Sequence, residues 1–236
     1  MRQFSLLIKP ASADCNLRCP YCFYLDHSTL YPESARHRMS DEVLEKLVSS
    51  YMATEHEVYA FAWQGGEPSL MGVEFFRKVV EFQQRYGRPG SVVSNSLQTN
   101  TTLIDDEFAA HLGEYRFLVG VSIDGPEEIH DYYRKHADGR GSHAEVLRGI
   151  ECLERNSVEF NTLCLVTPAN VGRAKDIYRY FRDRGIFYHQ YIPCIEFDNE
   201  GKPLPFTITG AQWGDFLCEL FDEWLIEDTR KVSVRL

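Results

Sequence analysis

No stretch of these 236 residues approaches the ~20 uninterrupted apolar residues that cross a bilayer as a helix, which excludes a helical membrane span. The opening Met1-Arg2-Gln3 leads straight into a short apolar run, without the hydrophobic core and small-residue cleavage site of a secretory leader. A cytoplasmic location is therefore expected. Positive charge is scarce: 25 Lys and Arg face 35 Asp and Glu, for a net charge of −10. Phosphate contacts need clustered basic side chains, so nucleic acid is not expected as a partner. Low-complexity tracts and internal repeats are absent too, which excludes linkers and solenoid architectures. The seven cysteines are an odd number without a leader, a poor basis for a disulfide framework. Such thiols serve as metal ligands or lie buried.

What is there is an alternation of β-rich and amphipathic segments. Strands are expected at Phe4–Pro10, Val58–Gln64, Ser91–Gln98, Phe117–Asp124, Glu159–Thr167 and Ile186–Pro193. Helical periodicity covers Asp41–Glu55, Val73–Tyr86, Asp105–Tyr115, Ala144–Asn156, Ala174–Arg184 and Ala211–Ile226. Leu44, Leu47, Val48 and Tyr51 mark one buried helix face, with Ser40 as its N-cap. Alternating β and α units imply parallel strands joined by right-handed crossovers. Six units suit a partial (β/α)6, TIM-like barrel with outer helices better than a closed eight-stranded one; an open doubly wound sheet satisfies the same pattern.

The chemically unusual segments all follow strands. The cysteine loop comes after the first, Gly65-Gly66-Glu67-Pro68 after the second, Gln98-Thr99-Asn100 at the third, Ser122-Ile123-Asp124-Gly125 at the fourth, and Pro193-Cys194 at the sixth. In a parallel barrel these ends share one rim, where active sites are built.

Cys15, Cys19 and Cys22 form a C-x3-C-x2-C run. Three thiolates on a tight loop can each hold one iron of a cubane cluster, leaving the fourth iron open, as a catalytic metal requires. S-adenosylmethionine (SAM) can fill that position through its amino and carboxylate groups. The competing reading is a structural zinc site completed by His27 or His37. Aromatic Tyr21, Phe23 and Tyr24 favour a dry cofactor pocket instead.

The segment CNLRCPYCFY, together with Gly-Gly-Glu-Pro and Ser-Ile-Asp-Gly-Pro, resembles the radical SAM superfamily. More narrowly, IKPAS at 8–12, FAWQGGEPSL at 61–70, NSLQTN at 95–100 and FLVGVSIDGP at 117–126 are similar to anaerobic sulfatase-maturating enzymes. That resemblance implies a [4Fe–4S] cluster on Cys15, Cys19 and Cys22. It also implies SAM contacts from Gly66 (with Glu67 in support), Ser122 and Arg134, with Tyr21 and Ile195 bordering the adenine. The implied activity is oxidation of a Cys or Ser in a sulfatase polypeptide to Cα-formylglycine through a 5′-deoxyadenosyl radical, with a flavodoxin or ferredoxin as electron donor. In the resembled family a C-terminal extension carries two more clusters and an Asp general base. Residues 1–236 are accordingly expected to be the radical SAM core barrel, truncated before that domain, with the base beyond Leu236. A thioether-forming peptide modifier and a non-catalytic zinc module are the other readings.

Two local expectations follow. The resembled family has Gly where Thr101 stands, so either Asn100 takes a left-handed turn or the loop differs. Cys152, Cys164, Cys194 and Cys218 are expected to be structural, most of them buried.

Overall fold

The computed structural model describes residues 3–27, 34, 36–54 and 56–236, with the side chains of Asp26 and Glu227 set aside. Met1 and Arg2, and Glu55 where the sequence predicts a helix end, lie outside the described residues. Seven strands form one parallel sheet in chain order: β1 (Leu6–Ile8), β2 (Val58–Trp63), β3 (Val92–Thr99), β4 (Leu118–Ser122), β5 (Phe160–Val166), β6 (Tyr188–Pro193) and β7 (Ser233–Arg235). The six expected strands are all present, and β7 adds a short seventh. Eight α-helices and a 3₁₀ helix (Pro68–Met71) complete the described elements: α1 (Tyr24–His27), α2 (Asp41–Met52), α3 (Val73–Tyr86), α4 (Asp106–Glu114), α5 (Glu127–Tyr133), α6 (His143–Arg155), α7 (Ala174–Asp183) and α8 (Gly210–Glu227). Contacts divide the chain into two units, the first of residues 1–16, 23–120 and 147–159, the second of residues 17–22, 121–146 and 160–236.

In the first unit, β1 pairs β2 from Leu6↔Phe61 to Ile8↔Trp63, and β2 pairs β3 from Val58↔Val92 to Trp63↔Leu97. Alternation on β2 sends Tyr59, Phe61 and Trp63 into the core, all at most 1% exposed, while Ala60 and Ala62 face the other way. Trp63 stacks on Phe61 and meets Phe75 and Phe76 of α3 edge-on. Its indole N–H donates to Asn95, which exchanges amide hydrogen bonds with Gln83, so this buried polar group is satisfied. Helix α2 starts as expected, with Ser40 accepting from the Val43 N–H. Its buried residues are Leu44, Val48, Tyr51 and Met52; Leu47 stays half-buried because the core stripe follows i, i+4, i+7, i+8.

In the second unit, β5 pairs β6 from Thr162↔His189 to Val166↔Pro193, and β6 pairs β7 from Tyr188↔Ser233. Helix α7 buries Ile177, Tyr178 and Phe181. Helix α8 begins in a capping box between Thr209 and Gln212, which satisfies otherwise orphaned N–H groups. Helix α5, absent from the sequence reading, is one of two short helices missed because seven residues after a proline carry little periodicity.

Candidate active site

The first unit supplies the base of the cysteine loop and two segments that brace it. After β1 the chain turns tightly, with Ser12 donating to Lys9 O and Asp14 to Ala11 O. Gly66 N–H donates to Ser12 O at 2.9 Å, and Glu67 N–H to Asp14 O at 2.7 Å. A Cβ on Gly66 would sit 2.1 Å from Asp14 O, and one on Gly65 would sit 2.7 Å from Ser12 O. Glycine at both positions is thus demanded by the backbone of the cysteine loop, a stronger reason than ligand approach alone. Glu67 is 1% exposed and turned inward, where it accepts from Ser69 N–H, Thr99 Oγ1 and Asn100 N–H at 2.7–2.8 Å. Burial raises its pKa, and those donors oppose the rise.

Asp14 accepts from His37 N–H and the His37 ring at 2.8 and 2.9 Å, and from Arg38 Nη1. Burial would raise its pKa, but these donors outweigh it and hold the carboxyl below its ordinary value. His37 Nδ1 thus pairs with Asp14, and exposed His27 packs edge-on against Phe23 and Tyr24. Among the described residues, no three His, Cys, Asp or Glu side chains converge on a point where one ion would sit.

Thr101 settles the local question raised by the missing glycine. It adopts the left-handed conformation itself, at φ 58°. The strain is tolerated because its hydroxyl donates to Asn100 O, its N–H donates to Thr99 Oγ1, and it is fully buried. Gly149 opens the space: a Cβ there would lie 2.8 Å from the Thr101 Cβ.

The second unit holds the rest of the loop and a buried ion pair. Cys22 N–H closes a turn onto Cys19 O at 2.9 Å, and Arg18 N–H donates to Lys135 O. Cys19 is 8% exposed, and burial pushes its thiol up to about 11, with the Arg134 charge opposing. Metal coordination is what converts such a thiol to thiolate at neutral pH. Arg134, just past α5, grips Asp124 through Nε at 2.7 Å and Nη2 at 3.0 Å. Tyr21 OH donates to the same carboxylate at 3.2 Å, and Leu165 N–H at 2.9 Å. Asp124 thus gathers the cysteine loop, the end of α5 and strand β5 around one carboxylate. His130 is fully buried behind it: Asp124 N–H donates to its Nδ1, and its Nε2 meets Ser142 Oγ, which donates to Arg134 O.

Tyr21 also packs edge-on against Tyr133 and Phe206, with the Arg134 guanidinium 5.7 Å above its ring. Ser122 ends β4 half-buried, and Ile195 follows β6 at 57% exposure. The second unit therefore brings together Cys19, Cys22, Tyr21 and Arg134, while Cys15 and Gly66 belong to the first. The sequence reading missed Asp124 as their organiser, although it lies inside the Ser-Ile-Asp-Gly segment. Cys152, Cys164 and Cys194 are buried as expected; Cys218 is exposed on α8, so its expected structural role has no packing behind it.

The sequence profile of the radical SAM superfamily matches residues 10–187. The chain belongs to the radical SAM superfamily. It is 38% identical over 247 residues to the serine-type anaerobic sulfatase-maturating enzyme of Bacteroides thetaiotaomicron, covering 98% of this chain and 59% of that one. It is 40% identical over 239 residues to the cysteine-type enzyme of Clostridium perfringens, covering all of this chain and 64% of the relative. The solved structure of native anSMEcpe with bound AdoMet and the Cp18Cys peptide superposes with a TM-score of 0.89 at 40% identity, over 98% of this chain and 63% of that one. The radical SAM chain described here therefore spans about three-fifths of the length of these relatives, and its parallel sheet is the partial TIM-like barrel of that structure. The cofactors of the radical SAM family are a [4Fe–4S] cluster and SAM. The soft thiolate donors of the cysteine loop suit such a cluster.

Proposed function

We propose that residues 1–236 are the core barrel of an anaerobic sulfatase-maturating enzyme, with Cys15, Cys19 and Cys22 holding three irons of the cluster and the fourth left for SAM. The observation that carries this reading is the C-x3-C-x2-C loop within a chain about 40% identical to enzymes of that name. A [4Fe–4S] cluster held by these thiolates would supply the electron that cleaves SAM, the chemistry that yields methionine and a 5′-deoxyadenosyl radical able to abstract a substrate hydrogen atom.

The chain's own residues orient SAM. Its amino group is a donor and needs acceptors; Gly66 N–H is spent on Ser12 O, which leaves the Gly66 carbonyl for that role. Its carboxylate goes to Arg134, whose Nε and Nη2 are occupied by Asp124 and whose Nη1 remains for a second acceptor. Ser122 adds a hydroxyl, and Tyr21 and Ile195 border the adenine. The general base and auxiliary clusters of the resembled enzymes are assigned to none of these residues.

The proposed substrate is a Cys or Ser side chain of a sulfatase polypeptide, oxidised to Cα-formylglycine, in the cytoplasm and with electrons from a flavodoxin or ferredoxin. Relatives named for each residue type are almost equally similar, so the preference between Cys and Ser is left to measurement. The test uses sulfatase peptides deuterated at Cβ of the target Cys or Ser, incubated anaerobically with the reconstituted chain, SAM and dithionite. Deuterium is expected in the 5′-deoxyadenosine. SAM cleavage with no transfer from either peptide would contradict the sulfatase assignment and leave the thioether-forming reading in front.

A further inference from the structure

Asn100, 6% exposed at the end of β3, has a side-chain amide whose orientation is fixed on both sides. Its Oδ1 accepts from Thr102 N–H at 3.1 Å and from Thr102 Oγ1 at 2.8 Å. Only a carbonyl oxygen can take two donors, so Nδ2 points the other way. There it donates to Asn16 Oδ1 at 2.9 Å and approaches Cys15 Sγ at 3.8 Å. Asn16 Nδ2 closes the ring by donating to Thr102 Oγ1 at 2.8 Å. The Asn100 backbone is pinned as well, through its N–H to buried Glu67. One N–H of Asn100 holds Asn16, and the second has Cys15 Sγ as its acceptor. In the thiol form Cys15 also donates to Asn16 Oδ1 at 3.9 Å; a thiolate has lost that proton and keeps the Asn100 donor.

We propose that Asn100 tunes the reduction potential of the cluster by donating a hydrogen bond to the Cys15 sulfur, with Asn16 and Thr102 holding its amide in place. The inference rests on the cluster assignment made above. The physical reason is electrostatic. Adding an electron to the cluster raises the negative charge on its cysteine sulfurs, and a fixed N–H dipole aimed at one of them stabilises that reduced state. Removing the donor lowers the potential and makes the cluster harder to reduce. The rigidity of the ring matters because a mobile amide would swing toward other acceptors and lose the effect.

The test is an EPR-monitored redox titration of the reconstituted full chain without SAM, using dithionite and mediator dyes, with iron and sulfide content measured on each sample. Asn100→Ala deletes the donor; Asn100→Asp keeps the size but offers an ionised acceptor. At the poise that half-reduces the parent cluster, the reduced-to-oxidised ratio is expected to fall about tenfold in Asn100→Ala, equal to about 59 mV for a one-electron couple. Asn100→Asp should fall at least as far, and Thr102→Val, which frees the amide but retains it, should fall less. Resonance Raman should show Fe–S(Cys) stretching bands moving up as the hydrogen bond is lost. Iron-loaded Asn100 variants with the parent midpoint would overturn the proposal. Failure of both to load iron would also count against it, because a tuning contact is not needed to hold the cluster. A parent chain that takes up no iron would instead overturn the cluster assignment itself.

Discussion

Asp124 is the residue on which the second unit's part of the site turns. It is 3% exposed and accepts from Tyr21, Arg134 and Leu165, while its own N–H reaches His130. Burying a guanidinium without its partner is costly, so Asp124→Asn is expected to lose about 3 kcal/mol of stability. It should also weaken SAM binding about tenfold by calorimetry, because Arg134 loses its bidentate anchor, with iron content unchanged. Parent-like SAM affinity in a folded, iron-loaded variant would contradict that role. The three cysteines stood out in the sequence as candidate ligands because their spacing is local and their chemistry is written in the residue type. Asp124 was not, since its partners Tyr21 and Leu165 lie 103 and 41 residues away. Thr101 shows a different limit. Its residue type argues against a left-handed turn, and only the space beside Gly149 and the buried hydroxyl bond explain why the turn forms there.

Among the elements, long amphipathic helices and strands with strong alternation were readable to within three residues at each end: α3 matches at Val73–Tyr86, while α2 ends at Met52 instead of Glu55. Three-residue β7 and four-residue α1 were not counted, because such short pieces are fixed by pairing and packing rather than by their own pattern. Strand β6 carries a pH-dependent contribution. His189 is 1% exposed, donates from Nε2 to Ile186 O, accepts from Tyr191 OH, and lies against Tyr178 and Phe181 of α7. Burial lowers its pKa to about 4, against about 6.5 in an unfolded chain. Between those values the unfolded chain binds the proton and the fold does not. The stability His189 contributes is therefore complete above pH ~6.5 and is lost as pH falls through about 4, on the order of 3 kcal/mol in all. Urea unfolding of His189→Asn should show a shallower loss across that window than the parent. Equal slopes would contradict the assignment of a neutral, buried imidazole.

For the whole molecule, the sheet keeps its strands in chain order, so each of the chemically unusual segments follows a strand of its own. No single element is unusual; the chemistry depends on which loops follow the strands. The central claim is that three thiolates hold a cluster with one iron left for SAM, and one measurement tests it most directly. The parent chain and a variant with Cys15, Cys19 and Cys22 all replaced by Ala are reconstituted anaerobically, and iron content is measured with dithionite-dependent 5′-deoxyadenosine formation. The parent is expected to bind about four irons and form 5′-deoxyadenosine, and the variant to do neither. A folded triple variant that retains iron and cleaves SAM as the parent does would contradict the account.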